Sequence, residues 1–269
     1  MKTSKLGFGI TGALDLDVVQ AIAARAEDIG IDSLWINDTP GDDSLARLEV
    51  AAEVTSRLIL AAGVIPVDRK SASAILEDVR RRELPIDRLI LGIGSSAPPS
   101  PLTRIESGLT ELKASLDVPI VVGALGPKMR RLGAERGNGL LFNWLTPGHA
   151  RETTTMMKHQ AAAVGNTCAI SATYIRTALG LEAQQRLAEE AARYSRIPAY
   201  AANFVRLGIT AMETAVQSET AEGITVGILA FDGAICHAIV RAITPDDDLE
   251  HYLLLLDAIS PLVTPQATC

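Results

Sequence analysis

Short runs of apolar and β-branched residues alternate with longer helical stretches along the chain, and this alternation limits the possible folds more than any other feature. Nearly continuous apolar strands that alternate with helices are typical of a parallel sheet covered by helices. Eight such units within 269 residues predict a single (β/α)8 TIM barrel spanning residues 1–269. The predicted strands are Leu6–Ile10, Ser33–Ile36, Leu58–Ala62, Leu89–Gly92, Pro119–Val122, Gly139–Phe142, Ala169–Arg176 and Ile235–Ala242.

Helical periodicity fills the segments between these strands. An open, doubly wound sheet would show the same alternation and is the alternative fold. No G-x-G-x-x-G motif follows the first strand, which favours the barrel. The predicted helices are Asp17–Ile29, Asp43–Thr55, Ala72–Arg82, Ile105–Leu116, Lys128–Arg136, Gly148–Val164, Leu181–Ser195, Pro198–Leu207, Met212–Glu222 and Asp247–Ala258.

Composition and charge exclude several classes of protein. Hydrophobic residues make up 48% of the chain, which is enough to build a core, and the net charge of −7 argues against a basic nucleic-acid groove. The three cysteines and four histidines show no ligand or disulfide spacing, so no metal is predicted. Neither a signal peptide nor an apolar run of membrane-spanning length is visible, so the expectation is a cytoplasmic protein without a membrane partner.

Two glycine-containing loops follow predicted strands on the rim where TIM barrels build their active sites. Backbone N–H groups in such loops, next to a helix N-terminus, favour an anion. Either loop alone could instead be a tight turn between a strand and a helix, but together they predict a phosphate-bearing ligand. The residues are Gly94, Ser95 and Ser96 after the fourth strand, and Gly123, Ala124, Leu125, Gly126 and Pro127 after the fifth.

Three polar or aromatic residues follow other strands of this rim. Asp38 is a candidate acid or base, with helix capping or turn formation as its alternative role. The amide of Asn143 could pair with the edge of a heteroaromatic ring, or it could belong to a structural turn. Trp144 could lie against a flat ring or cover the barrel mouth, whereas Trp35 lies inside an apolar strand and is predicted to be core.

Several segments, in their order along the chain, resemble the bacterial luciferase-like monooxygenases, a superfamily of flavin-dependent monooxygenases and coenzyme F420-dependent oxidoreductases. Residues 23–35 resemble the signature A-x-x-A-E-x-x-G-F-D-S-x-W. The resemblance covers nearly the whole chain and is greatest to the F420-dependent branch. The other segments are Val54–Leu60, Arg88–Gly94, Val118–Ala124, Gly137–Trp144 and Val240–Ile243.

This resemblance implies an oxidoreductase that transfers a hydride between F420, or alternatively FMN, and a small organic substrate at the barrel mouth. Asp38 and Asn143 would be polar orienters of the reaction, and the two glycine loops would bind the cofactor's phosphate side. Many members of the superfamily dimerise through the early helices, so a homodimer is expected through residues 43–57 and 72–82. The residues expected near the ring are Thr11, Asp38, Gly63, Val64, Asn143 and Trp144.

The chain departs from the family pattern in three places. F420-dependent relatives often carry Asp-His after the second strand, where this chain has Asp38 and Thr39. A long family insertion after the fourth strand is reduced to residues 97–103, so a shortened loop is predicted there. Cys236 and His237 replace the Asp-Glu pair expected on the last strand. Two alternatives therefore stay open: a non-catalytic F420- or flavin-binding protein, and a TIM-barrel enzyme acting on a phosphorylated small molecule.

Overall fold

A computed structural model describes residues 4–95 and 99–263. Eight parallel strands close into a barrel, because the first strand pairs with the last as well as with the second, and the sixth pairs with the seventh. The (β/α)8 TIM barrel is therefore confirmed, and the open doubly wound sheet is excluded. The strands are β1 (Lys5–Ile10), β2 (Ser33–Ile36), β3 (Ile59–Pro66), β4 (Leu89–Gly94), β5 (Ile120–Gly123), β6 (Gly139–Asn143), β7 (Ile170–Leu179), β8 (Val216–Ser218) and β9 (His237–Ala242).

Helices cover the outside of this barrel. Several begin where the sequence places an N-terminal signal: Ser71 and Thr146 accept hydrogen bonds from backbone N–H groups, and Pro127 occupies a first-turn position. The helices are α1 (Leu16–Ile29), α2 (Ser44–Glu53), α3 (Ala72–Arg81), α4 (Pro101–Ser115), α5 (Pro127–Arg136), α6 (Pro147–Ala162), α7 (Leu181–Ser195), α8 (Pro198–Leu207), α9 (Ala221–Leu229) and α10 (Leu249–Ile259). None of the helices in the described ranges is both long and apolar enough to cross a membrane.

The predicted helix Met212–Glu222 is wrong. A single 3-10 turn at Met212–Thr214 is followed by β8, a short extra strand that pairs only with the carboxyl end of β7. The next helix, α9, begins after Thr220, whose side chain accepts a hydrogen bond from Gly223 N. The backbone hydrogen bonds of this segment are made with β7, in place of the bonds that a helix would have made. Local periodicity does not reveal such a long-range partner, which is why the sequence predicts a helix.

Apolar side chains form two separate layers on either side of the strands. The outer layer joins the strands to the helices, and the inner layer fills the barrel. Trp35 is fully buried in the inner layer, which confirms the prediction that it is core. The members of the inner layer are Trp35, Ala61, Ile90, Val121, Leu141, Ala172, Tyr174 and Ile239.

The inner layer identifies which residues point into the barrel. Side chains alternate across a strand with a period of two. Residues two positions beyond the inner layer, toward the carboxyl end of each strand, therefore point into the mouth of the barrel. The loop after β4 is short, since α4 begins at Pro101.

Candidate functional site

Polar and charged side chains ring the mouth of the barrel. Asn37 lies two residues beyond the inner-layer Trp35, and Asn143 lies two beyond Leu141. The mouth positions of β7 and β9 hold Arg176 and Arg241, which are directly paired across the two strands. Thr11 continues the inward face of β1 beyond Gly9, and its Oγ1 accepts a hydrogen bond from the backbone N–H of Ala13. These donors and acceptors lie above the apolar interior of the barrel.

The floor of the mouth is formed by Val64. A Cβ atom added to Gly94 would stand 2.6 Å from Val64 Cγ2, and one added to Gly123 would stand 2.9 Å from Val64 Cγ1. These two glycines therefore make room for the Val64 side chain, a physical reason that the sequence analysis did not foresee. The peptide bond between Gly63 and Val64 is cis.

A hydrogen bond crosses the barrel just beneath this floor. The hydroxyl of Tyr174 on β7 donates to the carbonyl oxygen of Gly63 on β3 at 2.8 Å. Burial raises the pKa of Tyr174 well above its usual value, so the hydroxyl stays protonated as a donor. The structure thus brings Gly63, Val64, Gly94 and Gly123 together around one floor.

Arg176 links the mouth to the helical layer. It is 3% exposed, and its Nη1 donates to Asn143 Oδ1 at 2.5 Å while Nε donates to Glu190 Oε1 on α7 at 2.5 Å. Its guanidinium carbon lies 3.5 Å from the centroid of the Trp144 ring. Burial opposes ionisation of Glu190, but the charges of Arg176 and Arg241 outweigh it and hold the pKa of Glu190 below its usual value.

Aromatic residues of α7 and α8 bury Trp144. Its ring contacts Tyr194 at a centroid distance of 5.2 Å and Phe204 at 5.9 Å, and only 1% of Trp144 is exposed. Trp144 is thus packed beneath α7 and α8, with Arg176 on one face of its ring. The hydroxyl of Tyr200 lies near Asn143, and burial raises the pKa of this hydroxyl to about 12. Helix α8 therefore lies directly over the carboxyl end of β6.

Asp38 is engaged in structural contacts. One carboxylate oxygen accepts from Ser44 Oγ at 2.9 Å and from Ser44 N at 3.2 Å, at the start of α2. The other oxygen accepts from Arg69 Nη2 at 2.9 Å, and the side chain is 9% exposed. The N-cap residue of α2 is Asp43, and Asp38 adds an acceptor for Ser44 N in the first turn of this helix. The carboxylate of Asp38 is therefore paired with the Arg69 guanidinium.

The loop between β5 and α5 presents an open helix N-terminus. A Cβ atom at Gly126 would meet nothing within 4 Å, so free space lies beside the first turn of α5. Ala124 N donates to the Leu141 carbonyl, which ties the loop to β6, and Leu125 O accepts from Arg206 Nη2 at 2.8 Å. The first backbone N–H groups of any helix lack partners within the helix, and here they follow Pro127.

Three buried polar atoms without a partner lie at the carboxyl ends of strands. The Asn37 Oδ1, Ser95 Oγ and Trp144 Nε1 atoms are buried and have no hydrogen-bond partner. Buried polar atoms in native proteins are nearly always paired, so these atoms mark places where a ligand or water completes the structure. Ser96, the remaining residue of the first glycine loop, lies outside the described residues.

Four residues near the mouth are not predicted from the sequence: Arg176, Glu190, Arg241 and Tyr174. Arg176 and Arg241 carry a signal that could have identified them, since each is a charged residue at an inward position of an otherwise apolar strand. Glu190 carries no such signal, because its helix is acidic on its exposed face and only the fold brings it to Arg176. In the described part of the chain, no group of three or more His, Cys, Asp or Glu side chains could hold a metal ion.

His237 stands at the opposite end of the barrel, at the amino end of β9. It is 6% exposed, and its Nδ1 atom has no hydrogen-bond partner. Burial, together with the charge of Lys5, lowers the pKa of His237 to about 4, so the ring is neutral at pH 7. This position separates His237 from the ring of polar residues at the mouth.

Comparisons with known proteins agree with this architecture. Residues 4–109 match the model of the luciferase-like monooxygenase family. A 5,10-methylenetetrahydromethanopterin reductase of Methanolobus tindarius is 27% identical over 176 residues, which are 52% of this chain and 53% of the reductase. The matched segment therefore spans about half the length of that curated relative.

Solved structures share the whole fold at low sequence identity. An F420-dependent secondary alcohol dehydrogenase in complex with an F420–acetone adduct superposes with a TM-score of 0.76 and 17% identity, covering 98% of this chain and 99% of the dehydrogenase. The coenzyme F420-dependent tetrahydromethanopterin reductase of Methanopyrus kandleri gives a TM-score of 0.73 and 15% identity, covering 97% and 100% of the two chains. The resemblance of this chain to the luciferase-like monooxygenases is thus confirmed by sequence over residues 4–109. The solved structures show that the barrel fold extends over nearly the full length of the chain.

Proposed function

We propose that the protein is an F420-dependent oxidoreductase, with FMN as the alternative cofactor, that transfers a hydride to or from a small organic substrate at the barrel mouth. The observation that carries this proposal is the ring of Asn37, Asn143, Arg176 and Arg241 above the Val64 floor. The names of the relatives support the same reaction class, since they include an F420-dependent dehydrogenase and an F420-dependent reductase.

The residues of the mouth fit a flat heteroaromatic ring with a phosphate-bearing side chain. Asn37 Oδ1 is a buried acceptor without a partner, suited to an N–H group at a ring edge. Arg241 is a cation on the inward face of β9, suited to a ring carbonyl. The open N-terminus of α5 beside Gly126 suits the phosphate. When bound, the deazaflavin or flavin supplies the hydride acceptor or donor.

The chain itself positions and shields the reacting groups. Arg176 fixes the orientation of the Asn143 amide through its hydrogen bond, and Glu190 holds Arg176 in place. Val64 forms the surface on which a ring rests, and Tyr174 braces that surface from below through Gly63 O. Tyr200, which keeps its proton well above neutral pH, can donate a hydrogen bond to a substrate oxygen beside Asn143.

The experiment is an anaerobic titration of the purified protein with F420, FMN and FAD, followed by fluorescence and by the visible spectrum. We expect saturable binding of F420 or FMN in the micromolar range. In Arg241→Met, loss of a charge-assisted hydrogen bond of about 1.5–3 kcal/mol should weaken binding about 10- to 100-fold. Arg25→Met is the matched control, because Arg25 pairs with Asp257 on the outer helical surface.

Two results would contradict the proposal. One is the absence of binding of all three cofactors at micromolar concentration. The other is equal binding by the Arg241→Met variant and the wild type, which would remove Arg241 and its side of the mouth from the site.

A non-catalytic cofactor-binding protein is the second candidate, and the contacts of Asp38 favour it. Both oxygens of this carboxylate already accept hydrogen bonds from Ser44 or Arg69, so Asp38 is poorly placed to exchange a proton with a substrate. Turnover of any alcohol, aldehyde or ketone in a substrate panel would support the enzyme. Cofactor binding without turnover across the panel would support the non-catalytic protein.

We also propose, from the resemblance, a homodimer through the region of α2 and α3 and a cytoplasmic location. Within one chain this region is held by ion pairs from Arg82 to Asp43 and Glu49, which fix α3 against α2. Light scattering of the purified protein measures the mass of the assembly.

A further inference from the structure

A cavity of about 130 Å³ lies outside the barrel, between α5, α6 and α8. Its wall includes Leu140 of β6 and Met157 of α6, and two arginines, Arg130 and Arg206, reach it from α5 and α8. The volume is several times the ~30 Å³ that one water molecule occupies in the liquid. The cavity therefore has room for a small polyatomic ligand.

Arg130 enters this cavity with unused hydrogen-bond donors. Its Nη1 donates to Thr153 Oγ1 at 3.1 Å, and its guanidinium lies 5.6 Å from the centroid of the Phe142 ring. The Nε and Nη2 atoms are buried and have no partner. A buried guanidinium normally has an anion or several acceptors around it, because the desolvation of its charge is otherwise uncompensated.

A second positive charge stands beside the first. Arg206 also lines the cavity, and its Nη2 atom donates to Leu125 O and to Asn203 Oδ1. Burial and the charge of Arg206 lower the pKa of Arg130 to about 10, a sign that the two cations repel each other. Across the described ranges, no carboxylate lies within ion-pair distance of either guanidinium; Glu152 and Gln160 complete the polar lining.

The strand β6 separates this cavity from the barrel mouth. Leu140, which lines the cavity, belongs to the outer apolar layer, whereas Leu141 belongs to the inner layer. The two side chains point to opposite faces of the strand. The cavity therefore lies on the opposite face of β6 from the ring of residues at the mouth, and Pro127 at the start of α5 also lines it.

We propose that this cavity binds a small oxyanion of the phosphate class, held between Arg130 and Arg206. Such an anion accepts hydrogen bonds from the free Nε and Nη2 atoms and neutralises two neighbouring cations. It also joins α5 to α8, the helix that carries Tyr200 and Phe204 to the mouth. Through Arg130 and Arg206, anion binding would thereby stabilise the position of α8 against α5.

The test uses inorganic phosphate on the full chain without added cofactor. Melting temperature and isothermal titration are measured in phosphate and in sodium chloride of equal ionic strength. We expect a saturable, phosphate-specific rise in melting temperature in the wild type and in Arg131→Met, whose side chain pairs with Glu135 on the surface. In Arg130→Met and Arg206→Met, we expect phosphate affinity to fall at least about tenfold, by loss of charge-assisted hydrogen bonds.

In sodium chloride without phosphate, the Arg130→Met substitution also has an expected effect on the melting temperature. Removal of an uncompensated buried charge should leave its melting temperature equal to or above that of the wild type. A phosphate effect that is absent, or that persists unchanged in Arg130→Met, overturns the proposal. So does a phosphate effect abolished by saturating FMN, since that result places the anion at the α5 N-terminus in the mouth. None of these outcomes depends on whether the mouth performs hydride transfer.

Discussion

Replacement of Glu190 by Gln tests the linkage between the barrel mouth and the helical layer. The substitution keeps the size and one acceptor atom of the side chain but removes the negative charge opposite Arg176, which is 3% exposed. Removal of one member of a buried ion pair costs about 3–5 kcal/mol. Arg176 keeps its hydrogen bond to Asn143 and its stacking on Trp144, so the lower end of that range, about 3 kcal/mol, is expected.

The loss is measured as the free energy of unfolding in urea at pH 7, with Glu189→Gln as the matched control on the exposed face of the same helix. At about 2–4 °C per kcal/mol for a chain near this size, the melting temperature should fall by about 6–12 °C. Glu189→Gln should change stability by less than about 0.5 kcal/mol.

The same substitution has a pH signature. The pKa of Glu190 is lower in the folded protein than in the unfolded chain. Its stabilising effect is therefore complete above the unfolded pKa, near 4.5, and is lost as the pH falls through the folded pKa. The difference between wild type and Glu190→Gln should shrink on acidification. A loss below 1 kcal/mol at pH 7, or a difference that is the same at pH 7 and pH 3, would refute the electrostatic account of this pair.

Two further predictions concern packing and titration elsewhere in the barrel. Gly94→Ala places a methyl group 2.6 Å from Val64 Cγ2, so we expect a urea titration to show about 1–3 kcal/mol of destabilisation. The control variant Gly148→Ala should be tolerated, because no atom lies nearer than 4.0 Å to the added methyl group. Equal stability of the two variants would contradict the packing of the mouth floor. His237 has a pKa of about 4 in the fold against 6.5 in the unfolded chain, so the unfolded state binds the extra proton between those values. Thermal melts should therefore show stability falling from pH 6.5 toward pH 4, with a smaller slope in His237→Gln, and equal slopes would contradict the burial of a neutral ring.

The barrel could be predicted from the sequence because its signals are local and repeated. Each apolar run, such as Ser33–Ile36, carries its own strand signal, and a proline or glycine marks the neighbouring turn. The helix predicted at Met212–Glu222 failed because the extended conformation of β8 depends on the edge of β7, about 40 residues earlier in the chain.

The site was predicted less completely than the fold. Asn143, Gly63 and Val64 directly follow the strands predicted from the sequence, and the structure brings them to one mouth, within the longer strands β6 and β3. Arg176 contacts Glu190 on α7 and Asn143 on β6, and the sequence does not show that the fold brings these residues together. The glycine at position 94 illustrates a different difficulty. The sequence reveals that the residue is small, but only the fold reveals that the Val64 side chain occupies the space beside it.

The packing of α8 over Trp144 has a consequence for the kinetics of ligand binding. Phe204 of α8 packs against Trp144, which is 1% exposed, so we expect α8 to move before a molecule reaches the Trp144 ring. Collective helix movements take microseconds to milliseconds, far longer than the diffusion of a small molecule across an open rim. The observed rate of association at this side of the mouth should then reach a plateau as ligand concentration rises, at the rate with which α8 opens.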